Sequence, residues 1–466
     1  MRISLQVVVD TEGDAPATVT EIAQFERAGL DAGSLGLHLA EAKSLLGRLQ
    51  RTMVAAQQVA EAVARTSVCP TCGAQLACKG HHHLVFRSAF GRLSIDSPRL
   101  YPCRQCKGDA PSFSPVAGFL PERVSPELQY LEVKFAALMS YGLTVNVLQE
   151  VLPLDHLLAA SSIRRQVTVL GRRLEAEQAA DARQQVEMAA SIRSPDIPEP
   201  SPVRAIGIDG GYLRLAGRKR RQDGWFEVIV GKSMRDQGAG HSFAYVHKLE
   251  HRPADRMLNF LLREGVQPDQ PVTFLSDGGD TVRSAQFGFG DRGECILDWF
   301  HIAMRVQNLE QMIKGRPAHS DGPSNAILIK ALQGAKWHLW HGCPYPALRR
   351  LENLGWDLDA EASPEEAKLL GKLEELIIYL DNNRGFIVNY GDRYRHGEPI
   401  ASGFVESAVN QVISKRFVKR QQMAWRPRHA HALLQIRTAV LNDQLRSHVE
   451  RWYPSIARAE NHRIAA

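Results

Sequence analysis

The residues best placed to do chemistry are acids at the ends of apolar runs. Residues 204–212 read R-A-I-G-I-D-G-G-Y and residues 272–280 read V-T-F-L-S-D-G-G-D. A buried strand that delivers a carboxylate to its tip and then turns sharply has this pattern. Asp-Gly is also an ordinary surface turn, and it is the repetition that makes Asp209 and Asp277 a pair. A third acid stands out by its setting: from residue 404 to residue 429 there are six Lys/Arg and one acid, Glu406. The helix dipole alone favours a glutamate in a first turn, but a lone carboxylate on a basic helix also suits a cation opposite it. Carboxylates brought close together repel unless a cation bridges them, so the chemistry they point to is the holding of a divalent metal.

Cysteines offer a second kind of site. Cys69 and Cys72 lie in C-P-T-C-G, and Cys103 and Cys106 in C-R-Q-C-K-G. Each pair sets two thiolates on a tight knuckle, and four thiolates close a tetrahedral shell with no position left for substrate, which implies structural Zn2+. Strands over 84–90 and 93–95, around a turn at Gly91 and Arg92, would form the hairpin of a zinc ribbon between the knuckles. Cys78 and the run His81, His82, His83 are substitute ligands. Cys295 and Cys343 read as core residues.

The elements that must position these groups follow from periodicity. The N-terminus alternates as a strand, and apolar residues then recur every three or four positions from 38 to 64, as in an amphipathic helix. Ser125, Pro126 and Glu127 start a helix to about residue 140. Tyr141, Gly142 and Leu143 break it, Thr144 caps a second, and Ser161 and Ser162 open a third that carries Arg164 and Arg165. Helix, glycine turn, helix and basic helix is compatible with a helix-turn-helix on DNA. Residues 192–203 hold four prolines and no periodicity, as a linker does.

Beyond the linker come three strands, the first joined to the second through the basic tip Arg218, Lys219, Arg220 and Arg221. An amphipathic helix over 253–263 and a fourth strand at 272–275 follow. This is the order of the ribonuclease H-like fold, in which first and fourth strands are neighbours and Asp209 and Asp277 would lie side by side. A fifth strand is expected at 294–297 and several helices over 302–390. Ser402 or Gly403 can begin the helix that holds Glu406 in its first turn.

With those residues in view, the chain resembles bacterial insertion-sequence transposases with a DDE triad, nearest the ISKra-like group and related to the Mutator and hAT superfamilies. The likeness is carried by I-D-G-G at Asp209, S-D-G-G at Asp277, L-D-W-F-H at Asp298 and His301, and G-F-V-E-S with its basic tail at Glu406. It spans residues 204–446 and, less specifically, the Cys-bearing half. The resemblance implies a catalytic triad of Asp209, Asp277 and Glu406 that holds Mg2+ or Mn2+. Asp298 and His301 match the supporting D-x-x-H pair; Asp298, and more distantly Asp280, are rivals to Asp277 as second acid. Two-metal phosphoryl transfer on double-stranded DNA, at terminal inverted repeats and target, is implied, by a homodimer or higher oligomer. Lys415, Arg416, Lys419, Arg420, Arg426 and Arg428 would grip phosphates beside Glu406, although a basic run is also an ordinary solvated face. Trp337 and Trp340 share a helical face, for an extruded base or for the core. Two other functions fit the same modules: a domesticated zinc-containing DNA-binding protein without chemistry, and a ribonuclease H-like nuclease without strand transfer.

The bulk numbers set the frame. At 466 residues, 44% hydrophobic and 23% charged, the chain has the composition of an ordinary soluble protein and the length of two to four domains, and the strand and helix order above makes a multidomain α/β architecture the expectation. No stretch of about 20 apolar residues suits a membrane, and the N-terminus lacks a signal peptide's apolar core. A cytoplasmic, nucleoid-associated protein is expected, with paired cysteines binding metal rather than forming disulfides. The net charge of +6 is a mild basic bias compatible with nucleic acid. Neither nucleotide-binding glycine pattern occurs, which argues against ATP dependence. The expected domains are an N-terminal strand and helical region (1–66), a zinc-ribbon-like domain (67–122), a helical, helix-turn-helix-like DNA-binding domain (123–191) and the linker (192–203). After these come the first part of a ribonuclease H-like catalytic core (204–301), an all-helical insertion (302–400), and the Glu-bearing helix with a basic C-terminal region (401–466).

Overall fold

The computed structural model describes the chain except residues 11–16, 28, 30, 58–65, 108–110, 155–157, 192–201, 218–223, 268–269, 317–322, 419–422 and 457–466. Most of the Pro-rich linker, the tip Arg218, Lys219, Arg220 and Arg221, and Lys419 and Arg420 lie outside the described residues. The chain divides into two units, Met1–Thr168 with Gln444–Ala466, and Val169–Asp443. The stretch from Gln444, which the sequence reading joins to the catalytic core, falls in the first unit.

In the first unit β1 (Arg2–Val9) and β2 (Thr18–Glu26) form an antiparallel ribbon. The sequence reading passes over β2 because its buried residues, Ile22 and Ala23, are adjacent and spoil the alternation. Helix α1 (Leu39–Ala56) follows. The next hairpin, β3 (Cys78–Ser88) and β4 (Gly91–Leu100), is longer than expected and takes all three histidines into β3. Leu84 and Ile95 face each other across it and bury with Val116. Its turn lies at Ala89 and Phe90, where Ser88 Oγ accepts from Phe90 N at 3.1 Å, so Gly91 opens β4 instead of forming the turn. Helix α2 (Pro126–Leu138) starts as expected, with Ser125 Oγ accepting from Leu128 N at 3.4 Å. Helix α3 (Tyr141–Val151) begins earlier than expected: Ser140, not Thr144, caps it, accepting from Leu143 N at 3.3 Å. Tyr141 and Gly142 therefore belong to its first turn and break nothing. Helix α4 (Ala160–Ser191) begins in this unit, which ends at Thr168, and its first turns carry Arg164 and Arg165, both exposed.

The second unit is built on a five-stranded mixed sheet. Its strands are β5 (Val203–Arg214), β6 (Trp225–Arg235), β7 (Ser242–Val246), β8 (Val272–Ser276) and β9 (Gly293–Leu297), in the order β7-β6-β5-β8-β9. β5, β6 and β7 pair antiparallel, whereas β8 and β9 run parallel to β5. The crossover from β7 to β8 is α5 (Pro253–Arg263), whose Met257, Phe260 and Leu261 bury with Ile206, Ile208 and Phe274. After β9 come four long helices, α6 (Trp299–Lys314), α7 (Asn325–Trp340), α8 (Pro344–Trp356) and α9 (Pro364–Asn382), which share a core of leucines. The chain then returns to the sheet through α10 (Gly403–Val409) and ends the unit with α11 (Pro427–Leu441), which packs on β7.

One expectation about β5 is corrected. The strand does not stop at Asp209; it continues through Gly210 and Gly211 to Arg214, paired with β6 throughout. The glycines serve packing across the strand, not a turn. At β8 the expected turn does form, with Gly278 at φ +83° just after Asp277.

Candidate active site

Three parallel strands bring three acids into one row. Ile208 pairs with Ser276, and Ser276 with Leu297, so the next residue on each strand is Asp209, Asp277 and Asp298 in turn. Neighbouring strands lie about 4.8 Å apart, and the Asp298 N–H still donates to Ser276 O at 2.9 Å.

The three acids have different surroundings. Asp298 is fully buried, and its carboxylate is occupied. Oδ1 accepts from Phe300 N at 2.9 Å and Ser402 N at 3.0 Å; Oδ2 accepts from the Ser402 hydroxyl and meets His301 Nδ1 at 2.8 Å. It caps α6 and ties the loop before α10 to β9. Asp209 and Asp277 are half-buried, and each forms a local bond, Gly210 N to Asp209 Oδ1 at 2.7 Å and Gly279 N to Asp277 Oδ1 at 3.0 Å. Among the described residues neither forms an ion pair. Asp280, the more distant rival, is exposed on the surface with its neighbour Arg283 at 3.9 Å.

Glu406 reaches this row from the face of β5. Val405, the residue before it, lies against Gly207, where a Cβ would come within 1.9 Å of its Cγ2. Farther along, a Cβ on Gly211 would come within 2.5 Å of Ile413 Cδ1. Glycines in β5 thus let the Glu406 helix lie directly on the strand backbone. Glu406 Oε1 is 3.9 Å from His301 Nε2, and Asp298 holds the other ring nitrogen, so the imidazole bridges a buried acid and the site.

The electrostatics agree with this clustering. Burial pushes the Asp209 carboxyl up to about 6; the bond from Gly210 opposes this, and Asp277 and Glu406 add to it. Burial disfavours a charged His301, but the hydrogen bond to Asp298 and the charges of Asp298, Asp209 and Asp277 outweigh it and raise its pKa. A further acid escaped the sequence reading. Glu227 of β6 stands opposite Tyr212 and accepts from Thr281 Oγ1 at 2.9 Å. Glu227, then burial and Asp277, raise the Tyr212 pKa. Its sequence signal was weak, since E in W-F-E-V-I-V looks like an ordinary solvent-facing strand position.

The cysteine cluster forms in the first unit. The Sγ atoms of Cys69, Cys72, Cys103 and Cys106 all lie within 4.8 Å of one another, with Cys72 and Cys103 at 3.5 Å, and all four are free thiols. Backbone N–H groups of Cys72 and Thr71 lower the Cys69 thiol to about 6, while its bond to Cys72 pushes Cys106 up to about 12. Thiols this close cannot all ionise without a cation, and the set can bind zinc. Cys78 points elsewhere, donating to Gly80 O, and His81 and His83 flank Asp96. Among the described residues this is the one group of three or more ligating side chains that closes so tightly. The carboxylates of Asp209, Asp277 and Glu406 do not form such a group.

Other expected residues are placed less uniformly. Lys415, Arg426 and Arg428 are exposed. Arg416 is not a surface contact: it is 2% exposed, with its guanidinium 5.2 Å from the Trp425 ring. Trp340 packs against Trp299 at 4.8 Å, whereas Trp337 is 60% exposed beside His341. Cys343 is exposed ahead of Pro344 at the start of α8, and so is not a core residue; Cys295, on β9, is half-buried against the core that holds Phe274 and Phe289. No helix among the described residues is long and apolar enough to cross a membrane.

No family model matches the chain, and no curated protein matches it.

Proposed function

We propose that this protein is a DNA transposase of the DDE type, with Asp209, Asp277 and Glu406 as its catalytic acids. The observation that carries the proposal is the meeting of Asp209 and Asp277 on adjacent parallel strands with Glu406 on a helix seated on β5. Strand order β7-β6-β5-β8-β9, with the first three antiparallel, is the order of ribonuclease H-like nucleases and transposases, which supports the reading. So does the helical segment between β9 and the Glu406 helix.

The donor set suits Mg2+ or Mn2+: all-oxygen carboxylates, without a neutralising Lys or Arg paired to Asp209 or Asp277 among the described residues. When bound there, the ions supply activation of a water or 3′-hydroxyl and stabilisation of the leaving oxygen. Asp209, Asp277 and Glu406 hold them. His301, fixed by Asp298, faces Glu406 with its other ring nitrogen and orients it. Asp298 has its acceptor positions filled and acts as a brace, which supports Asp277 as second acid. Lys415, Arg426 and Arg428 draw the phosphate backbone toward the site. The four cysteines hold structural Zn2+, and that hairpin with α2, α3 and the basic start of α4 reads the element ends. On a substrate of double-stranded DNA, a homodimer or larger assembly pairs two ends.

Incubation of the protein with DNA carrying its terminal inverted repeats and Mg2+ tests the proposal. Strand cleavage and joining lost in Asp209→Asn, Asp277→Asn and Glu406→Gln is the expected result. Cleavage without joining points to a nuclease, and end binding without cleavage points to a DNA-binding protein.

A further inference from the structure

The helix that carries Glu406 is irregular. Between α10 and the short helical turn Lys415–Phe417, residues Asn410–Ser414 form a π-turn, in which the Lys415 N–H reaches back to Asn410 O. Such widenings are rare and cluster at functional sites. The glycines of β5 give this one a reason. Gly207 meets Val405, while Gly211 meets Val409 and Ile413. The two glycines are four strand residues apart, about 13 Å, and Val405 and Ile413 are eight helix residues apart, about 12 Å. Length matches, but angle does not. In a regular helix every fourth side chain advances about 40° around the axis, so Val405, Val409 and Ile413 would spiral off the strand. A wider turn takes up that advance and keeps all three in line on β5.

One side chain grips the turn. Arg437, on α11 and only 4% exposed, donates from Nε to Val412 O at 2.8 Å and to Gln411 O at 3.2 Å, and from Nη2 to Gln411 O. Its rigid fork matches two successive carbonyls, which a lysine's single ammonium cannot do in the same way. Burial, then the Arg416 charge, lowers its pKa to about 10, which leaves it a cation at neutral pH.

We infer that Arg437 is a positioning residue for the proposed reaction: by locking the π-turn it sets the direction in which the helix presents Glu406 to Asp209 and His301. The inference rests on the transposase reading and concerns the same site. Its test uses the full chain with Mn2+ as probe, comparing wild type, Arg437→Gln, Arg437→Lys, Glu406→Gln and the Arg437→Gln/Glu406→Gln pair at matched far-UV circular dichroism and zinc content. Arg437→Gln is expected to lower Mn2+ affinity and Mn2+-dependent cleavage about 10–100-fold, as loss of a supporting partner does. Arg437→Lys should fall less, and the pair should be no worse than Glu406→Gln alone. A folded Arg437→Gln that matches wild type, or losses that add in full to those of Glu406→Gln, overturns the inference. Where Arg437→Gln does not fold, Arg437→Lys decides, and wild-type behaviour overturns it. A wild type that neither binds Mn2+ nor cleaves overturns the transposase reading, and the positioning role with it.

Discussion

Gly207 and Val405 touch so closely that a Cβ on the glycine would lie 1.9 Å from Val405 Cγ2. Val405 immediately precedes Glu406, so the strand that carries Asp209 also sets the height of the third acid above the sheet. Gly207→Ala should therefore lift the helix and lower cleavage about 10–100-fold. The same overpacking should destabilise the unit by about 1–3 kcal/mol. Gly211→Ala meets the mobile end of Ile413 and should do less of both. Cleavage rate and thermal denaturation of the two variants check this.

Asp277 and Asp298 should part company in stability. Asp298→Ala empties a fully buried acceptor site and leaves half-buried His301 without its partner, a change that costs about 3–5 kcal/mol in comparable buried pairs. Asp277→Asn removes a half-buried carboxylate that forms no ion pair among the described residues, so it should leave thermal stability unchanged or slightly higher while it abolishes cleavage. Equal destabilisation by both would contradict the assignment of Asp298 as a brace.

How much of this was legible in the sequence depends on how local each cause is. The acids Asp209 and Asp277 stand out because an apolar strand and its terminal acid are neighbours in the chain, and the cysteine knuckles because their spacing is itself the geometry. Gly210 and Gly211 misled for the opposite reason. Gly-Gly reads as a turn, yet β5 runs straight through them, and the partner that demands a glycine at 211 lies some two hundred residues downstream at Ile413. Arg416 looked like a surface contact until Trp425 folded over it. At α3 both Ser140 and Thr144 are good caps, and only the observed bond to Leu143 N separates them. Gly207 carried a usable signal, a glycine inside an apolar strand, which marks close backbone approach.

The first unit should respond to pH through Glu132. It is wholly buried, with both carboxylate oxygens lacking a hydrogen bond and Arg87 at 3.5 Å. Burial raises it to about 7, against a partial opposing pull from Arg87. An acid whose pKa is higher folded than unfolded binds its proton more tightly in the native state, so its contribution is full below about 4.5 and is lost as pH rises through about 7. Glu132→Gln should raise the melting temperature at pH 8 and change it little at pH 4. Melting curves at the two values check the sign.

Zinc content should follow the thiols. Metal analysis is expected to give about one zinc per chain for a closed four-cysteine shell, falling when Cys103 and Cys106 are replaced by serine. Binding to the terminal repeats should fall with it, while Asp209→Asn leaves zinc content untouched. Full zinc in the double cysteine variant would contradict the ligand set.

The central claim is that Asp209, Asp277 and Glu406 together hold the ions for DNA cleavage. Anomalous diffraction from crystals grown with Mn2+ tests it most directly. The account predicts manganese bound by the carboxylates of Asp209, Asp277 and Glu406, with Asp298 still engaged by His301 and Ser402. Manganese held by Asp298, or absent from these three acids at saturating concentration, would contradict it.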